Sequence, residues 1–586
     1  MPDILVKVLA IIGGITVLLL LLALSFSFYL RMNRNRVPSG TVLEVDFRRG
    51  LREYVPESPL GRIISGEQLT IRTVVEALDI AARDKRVSGV IGRVGGAPIP
   101  FADAQEIRDA VIRFRASGKP AYAFAETLGE LGPGNSVYYL STAFDRIYLQ
   151  PTGSVGLTGI MSQGSFLKGT LDKLDVVPQL GARKEYKNAR NIFTEKSYTE
   201  AHKEVSQSII ESVLAQMVKD IADARNMTEK AFRELVVQGP YSAEMAFKAG
   251  LIDGLEYRDQ VFEKMLEKSG PRTKFLYLSR YYSRLKKPVN KGKAVALIYG
   301  EGNTVQGRSR FNPLNGEVVM GSETIAAAFR AAIKDKDVGA IVFRINSPGG
   351  SAIGSDEIWR ETVRARDAGK AVVVTMGAVA GSGGYFVAMN ADRIVAHPST
   401  ITGSIGVVGG KFVTRGLYNK LGVTFDDVVT SSNATIWSPM HQYSEKQWEY
   451  IQLWLDKVYE DFVVKVAQGR GLKKERVMEL AKGRIYTGNQ ALELNLVDTL
   501  GGFPAAFSSA KELMGLPEDQ NVRIKVYPRR RTLLEQFFGR GAESSDDKGR
   551  IETELDFTGA MLPSDIIRQR LNLNRGALLM EDPELQ

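Results

Sequence analysis

The run Gly381-Ser382-Gly383-Gly384-Tyr385 follows the apolar, β-rich segment Ala371–Met376. Ser382 is therefore expected at a strand-to-helix turn, with its hydroxyl at a helix N-terminus and the next N–H free to polarise a carbonyl. That placement suits a nucleophile. Serine is also a preferred helix N-cap, and spacing alone does not separate the two roles. A hydroxyl nucleophile needs a base, and the 3 histidines offer no suggestive context. His397 precedes a proline at an expected strand end, while His202 and His441 border expected helices. Lysine can serve instead when burial or a neighbouring cation favours its neutral amine. Lys187, in Glu185-Tyr186-Lys187-Asn188-Ala189-Arg190, is the candidate, although composition alone makes it one more surface lysine. Asn346-Ser347-Pro348-Gly349-Gly350-Ser351 closes an expected buried strand. Its two glycines permit positive φ and a close approach of N–H groups to a ligand, as an oxyanion hole requires, or they simply form a tight turn.

These residues sit in a chain that repeats itself at about 250 residues. Asp84-Lys85-Arg86-Val87 answers Asp335-Lys336-Asp337-Val338, and Asp145-Arg146-Ile147 answers Asp392-Arg393-Ile394. Thr152-Gly153-Ser154-Val155-Gly156 likewise answers Thr402-Gly403-Ser404-Ile405-Gly406. A domain-sized period seen twice is a duplication, not a solenoid. The candidate chemistry is divided between the copies. Asn135 stands where the second copy has Ser382, Gly95-Gly96-Ala97-Pro98-Ile99 lacks the glycine pair at the equivalent position, and the second copy has Ser432-Asn433-Ala434 near where the first has Lys187.

Strands are expected at Thr41–Phe47 and Val87–Val94, with an amphipathic helix over Leu69–Ala82 between them. The second copy repeats the order at Ala294–Tyr299, Thr324–Ile333 and Gly339–Ile345. Alternating strands and helices imply parallel βαβ units and an α/β sheet in each copy. Helices are also expected over Thr199–Arg225 and Ser444–Gln468, and the basic, Pro-containing stretch Arg280–Lys293 reads as a linker. The expected divisions are an N-terminal segment 1–39, a first copy 40–285, a second copy 286–530 and a polar tail 531–586.

Composition excludes several chemistries. With no cysteine there is no thiol nucleophile, thiolate metal site or disulfide, and the shortage of histidine argues against a usual zinc site. The net charge of +10 is spread over many short clusters and reads as a solvated surface; no nucleic-acid module is found. Val8–Leu30 carries no charged residue, and as a helix it reaches roughly 35 Å, enough to cross a bilayer as a retained anchor. Arg31, Arg34 and Arg36 follow it and only Lys7 lies close before it, so the positive-inside rule places the body in the cytoplasm.

Asn-Ser-Pro-Gly-Gly, Gly-Ser-Gly-Gly-Tyr, Thr-Gly-Ser-Ile-Gly and Tyr-Lys-x-Ala together closely resemble the signal peptide peptidase A family, also called protease IV, peptidase family S49, in its long two-copy bacterial type. The similarity covers roughly residues 40 to 530. It implies a Clp-protease-like or crotonase-like α/β fold in each copy and a Ser-Lys dyad. By that resemblance Ser382 is the nucleophile, Lys187 the general base and Ser404 the residue that orients the lysine, with the N–H groups of Gly350 and Gly383 as the oxyanion hole. It also implies no cofactor, apolar peptide substrates such as signal-peptide remnants, a homotetramer, and lipid contact through the N-terminal helix. The family's catalytic body lies on the extracytoplasmic side of the bacterial inner membrane, which is the expectation adopted here over the charge rule. One departure is Asn188, where Tyr-Lys-Ser-Ala is expected. A non-proteolytic scaffold or peptide-binding protein on the same fold, and crotonase-like acyl-CoA chemistry, are the alternatives.

Overall fold

The computed structural model describes residues 36–54, 69–96, 98–285, 292–312 and 317–528, with isolated positions in 13–21 and the short segments 552–553 and 577–579. Most of the apolar segment 8–30 lies outside the described residues, and among those described no helix is long and apolar enough to cross a membrane.

Two parallel sheets form the body, and they repeat one another strand for strand. The first runs Gly254–Leu255, Arg146–Leu149, Ala121–Ala125, Val87–Val94, Thr41–Asp46, Lys274–Tyr277. The second runs Thr499–Leu500, Arg393–Ala396, Ala371–Gly381, Val338–Ser347, Ala294–Glu301, Arg523–Tyr527 in the same order. Near-continuous runs such as Val338–Ser347 are buried on both faces, as parallel strands between helices must be. The connecting helices begin where local chemistry supplies a cap. The Thr70 hydroxyl accepts from Thr73 N at 3.2 Å ahead of Ile71–Arg83, Thr199 does the same for His202 N, and Ser444 and Gln447 cap each other's ends ahead of Glu445–Arg470.

Three differences from the sequence expectation bear on the site. Arg280–Arg284 is not linker but the end of the helix Leu278–Arg284, whose Tyr281 is fully buried and donates its hydroxyl to Asp84. The strand expected to stop at Met376 continues to Gly381. The two copies are also joined by an antiparallel ribbon that periodicity did not reveal. Val177–Arg183 of the first copy pairs with Val407–Val413 of the second, with Arg183 opposite Val407. Leu171, Val176, Leu180 and Phe193 pack with Val408 beneath it. A further small sheet places Asn303–Val305 beside Gly349–Ser351, whose other edge pairs antiparallel with Ala577–Leu579.

Candidate active site

Lys187 follows the ribbon strand by four residues, and Ser404 precedes its partner strand by three. The ribbon therefore delivers a first-copy lysine to a second-copy loop. Lys187 Nζ lies 2.7 Å from Ser382 Oγ, 2.9 Å from Ser404 O and 3.0 Å from Ser404 Oγ, all within one chain. Its side chain is fully enclosed, and burial holds the amine well below its ordinary value of 10.5. Among the described residues no carboxylate forms an ion pair with it, so nothing opposes that desolvation. A neutral amine has two N–H groups for the Ser404 oxygens and one lone pair for the proton of Ser382.

Ser382 makes no side-chain cap hydrogen bond to the helix Gly383–Ala388. It sits at φ 53°, ψ −114°, an uncommon conformation for a residue with a Cβ, at a cost of about 1–3 kcal/mol. The turn is held by its own N–H donating to Gly403 O at 2.8 Å and by its carbonyl accepting from Phe386 N. Ser404 is also at positive φ, 52°, and its N–H donates to Arg484 O.

Gly350 and Gly383 meet across the site. A Cβ on Gly383 would lie 3.1 Å from Gly350 N and 3.2 Å from Gly349 Cα, and a Cβ on Gly350 would lie 2.1 Å from Thr304 O. The backbone approach requires glycine at 350, which also takes φ 149°, while a side chain at 383 would press on Ser355 Oγ at 2.6 Å as well as on this backbone. In the first copy, Asn135 begins the helix corresponding to Gly383–Ala388, and its amide is spent on Gly159 O and Thr158 N. Asn188 bonds Asn191 and makes no hydrogen bond to the Lys187 amine.

The three histidines lie elsewhere in the bonding scheme. His202 packs on Tyr198, His441 pairs with Asp427 at 2.6 Å, and His397 is buried 3.5 Å from Glu106. No group of histidine and carboxylate side chains that could hold a metal is present among the described residues.

Sequence reasoning missed the segment Lys482-Gly483-Arg484, which closes over Lys187. Tyr186 N donates to Lys482 O, Gly483 N to Ile405 O, and Arg484 pairs with Glu204, which also accepts from Tyr186 Oη at 2.7 Å. Its only sequence signal is a glycine in a basic turn before a strand.

A model described as peptidase family S49 matches residues 113–271 and 364–517. The chain is 28% identical to the chloroplastic serine protease SPPA of Arabidopsis thaliana over 85% of this chain and 73% of that one. It is 32% identical to protease 4 of Salmonella typhi over 78% of this chain and 75% of that one. ClpP1 of Listeria monocytogenes, a solved structure, aligns over 36% of this chain and 93% of its own at 13% identity, with a TM-score of 0.23. The family model reaches into both copies, and relatives align across most of both; the chain belongs to peptidase family S49 and is a serine-type peptidase.

Proposed function

We propose that the chain is a membrane-anchored serine endopeptidase in which Ser382 is the nucleophile and Lys187 the general base. One observation carries this reading: a buried lysine amine with no paired carboxylate stands 2.7 Å from a serine hydroxyl on a strained turn. Lys187 accepts the proton as Ser382 Oγ attacks the peptide carbonyl, and the oxyanion is received by the N–H groups of Gly350 and Gly383. The protonated amine then delivers its proton to the leaving nitrogen. Water hydrolyses the acyl-enzyme with the same lysine as base, while Ser404 holds the amine on the reaction axis through both steps.

The substrate is an extended, apolar peptide of the kind left by signal-peptide cleavage. The strand Gly349–Ser351 offers an edge on which an extended chain can pair, and Ala577–Leu579 of this chain pairs there antiparallel. The anchor is the uncharged segment 8–30, and the body lies on the extracytoplasmic face of the bacterial inner membrane. Four copies assemble, as the family resemblance implies, and the exposed apolar side chains of Leu421, Val423, Val428 and Trp437 supply surface for such contacts.

The test is turnover of a fluorogenic apolar peptide by detergent-solubilised protein, with Ser382→Ala and Lys187→Ala beside the parent. Loss of turnover and of fluorophosphonate labelling at Ser382 in both variants, with folding intact, is the expected result. Full turnover in Lys187→Ala moves the base elsewhere, and an unlabelled, inactive parent leaves a peptide-binding scaffold.

A further inference from the structure

Between the copies lies a buried cluster of charged side chains, Glu53 and Glu106 around Arg344. This residue lies on Val338–Ser347, the second-copy strand that leads into Gly349-Gly350, and its side chain is 1% exposed. All five of its N–H groups have acceptors. Nε and one Nη2 proton reach Glu53 at 3.0 and 2.5 Å, the second Nη2 proton reaches Glu106 at 2.8 Å, and Nη1 reaches Thr375 Oγ1 and Met376 O, each at 3.2 Å. Glu53 and Glu106 are first-copy residues. Thr375 and Met376 belong to the strand Ala371–Gly381 that leads into Ser382.

That strand changes partners where Arg344 grips it. Val373–Thr375 pairs with Arg393–Val395, whereas Val379–Gly381 pairs with Ile401–Gly403, and its register against Val338–Ser347 shifts between Ile345 and Ser347. Residues 377–379, set against the single Asn346, are thus a bulge that re-aims the last leg of the strand, and with it Ser382, toward the Ser404 loop. The bulge is held by three contacts. Val379 N donates to Asn346 Oδ1, Thr400 Oγ1 donates to Gly377 O, and Glu53 packs so closely that a Cβ on Gly377 would lie 2.7 Å from its Oε1. Two of these come from the second copy itself, but Glu53 comes from the first. The corresponding arginine of the first copy, Arg93, bonds Glu126 within its own copy and reaches across no boundary. Only the second-copy arginine has been turned into an inter-copy clasp.

We infer that Glu53, clasped by Arg344, is a positioning residue: by docking on the Gly377 bulge, the first copy sets the path of the strand that carries Ser382. The copy that supplies the lysine thereby also aims the serine it must meet. This rests on the dyad reading above, and an error of 1 Å in such aim is enough to cost about 100-fold in rate.

The experiment compares Glu53→Ala, Glu53→Gln and, as a control, Gln105→Ala in the full chain. Gln105 also bridges the copies, accepting from buried Ser399 N at 2.9 Å, but it does not touch the bulge. The readouts are kcat, KM, the rate constant of fluorophosphonate labelling and Tm. Glu53→Ala is expected to lower kcat and the labelling rate together by about 10- to 100-fold with KM unchanged. Glu53→Gln, which keeps the shape against Gly377, is expected to restore most of the rate, and Gln105→Ala to lose Tm while keeping both rates. Should Glu53→Ala not fold, Glu53→Asp, which withdraws the carboxylate by one methylene, carries the same expectation. Unchanged rates in folded Glu53→Ala or Glu53→Asp, a rate loss in Glu53→Gln as large as in Glu53→Ala, or an equal rate loss in Gln105→Ala, overturn the inference. A parent protein that the probe does not label overturns the dyad instead.

Discussion

Gly483 lies against the backbone of Lys187 so closely that a Cβ on it would stand 2.5 Å from Lys187 N and 2.7 Å from Lys187 Cα. It also takes φ 81°, so the position resists a side chain on two grounds. Because the contact is with backbone, the lysine segment cannot yield without moving its amine. Gly483→Ala is expected to remain folded but to lose at least about 10-fold in kcat. Kinetics with a fluorogenic peptide, set beside the circular dichroism spectrum, check this.

The depressed Lys187 amine sets the sign of two pH effects. Activity is expected to rise with pH through the folded-state value of that amine and to level off below the ordinary lysine value of 10.5. Stability moves the same way: between the two values the unfolded chain binds a proton that the folded chain does not, so wild-type stability increases with pH across that window. Lys187→Met is expected to be inactive yet more resistant to urea, with a gain that is largest at low pH and vanishes near 10.5. Urea titrations from pH 6 to 10 read this directly, and a gain that grows with pH would sink it.

Glu301 has the opposite dependence. Burial, reinforced by the neighbouring Glu53, pushes its carboxyl up to about 8, and its Oε2 has no hydrogen-bond partner among the described residues. The folded state therefore keeps a proton that the unfolded chain loses above 4.5, and its contribution to stability falls as pH rises from 4.5 to about 8. Glu301→Gln should remove that slope, matching wild type near pH 4.5 and exceeding it at pH 9. Denaturation midpoints at the two pH values decide it.

Ala577–Leu579 pairs with the edge of Gly349–Ser351 that an extended substrate would use. A chain ending at residue 570 is expected to show a KM several-fold lower for a short apolar peptide at unchanged kcat. A KM that stays the same or rises shows that substrate does not compete for this edge.

The regular elements were legible because their signals are local. Ile71–Arg83 and Glu200–Arg225 fall within a residue or two of the expected spans, since Thr70 and Thr199 mark their starts. The duplication was legible because a repeat needs no tertiary information. What stayed hidden was contact between distant residues. Arg344 reads as a strand residue, and its partners Glu53 and Glu106 lie 291 and 238 positions away. The continuation of Ala371–Gly381 through Gly377 was hidden for the same reason, because a glycine in an apolar run looks like a strand end until the side chains that hold its bulge are known. Ser382 and Lys187 stood out through a family resemblance; composition placed the lysine on the surface, whereas its burial is produced by the ribbon and the Gly483 turn.

The wide separation of serine and lysine along the chain also has a consequence in time. Ser382 follows Lys187 by 195 positions, so at ordinary rates of translation the lysine leaves the ribosome about 10 to 40 s before the serine exists. The Lys482–Arg484 turn that seals the base is made later still. A nascent chain, however well its first half has folded, does not yet hold both members of the pair with which to attack itself or its neighbours. On the proposed dyad, dividing the serine and the lysine between the halves makes completion of synthesis the switch that arms the protease.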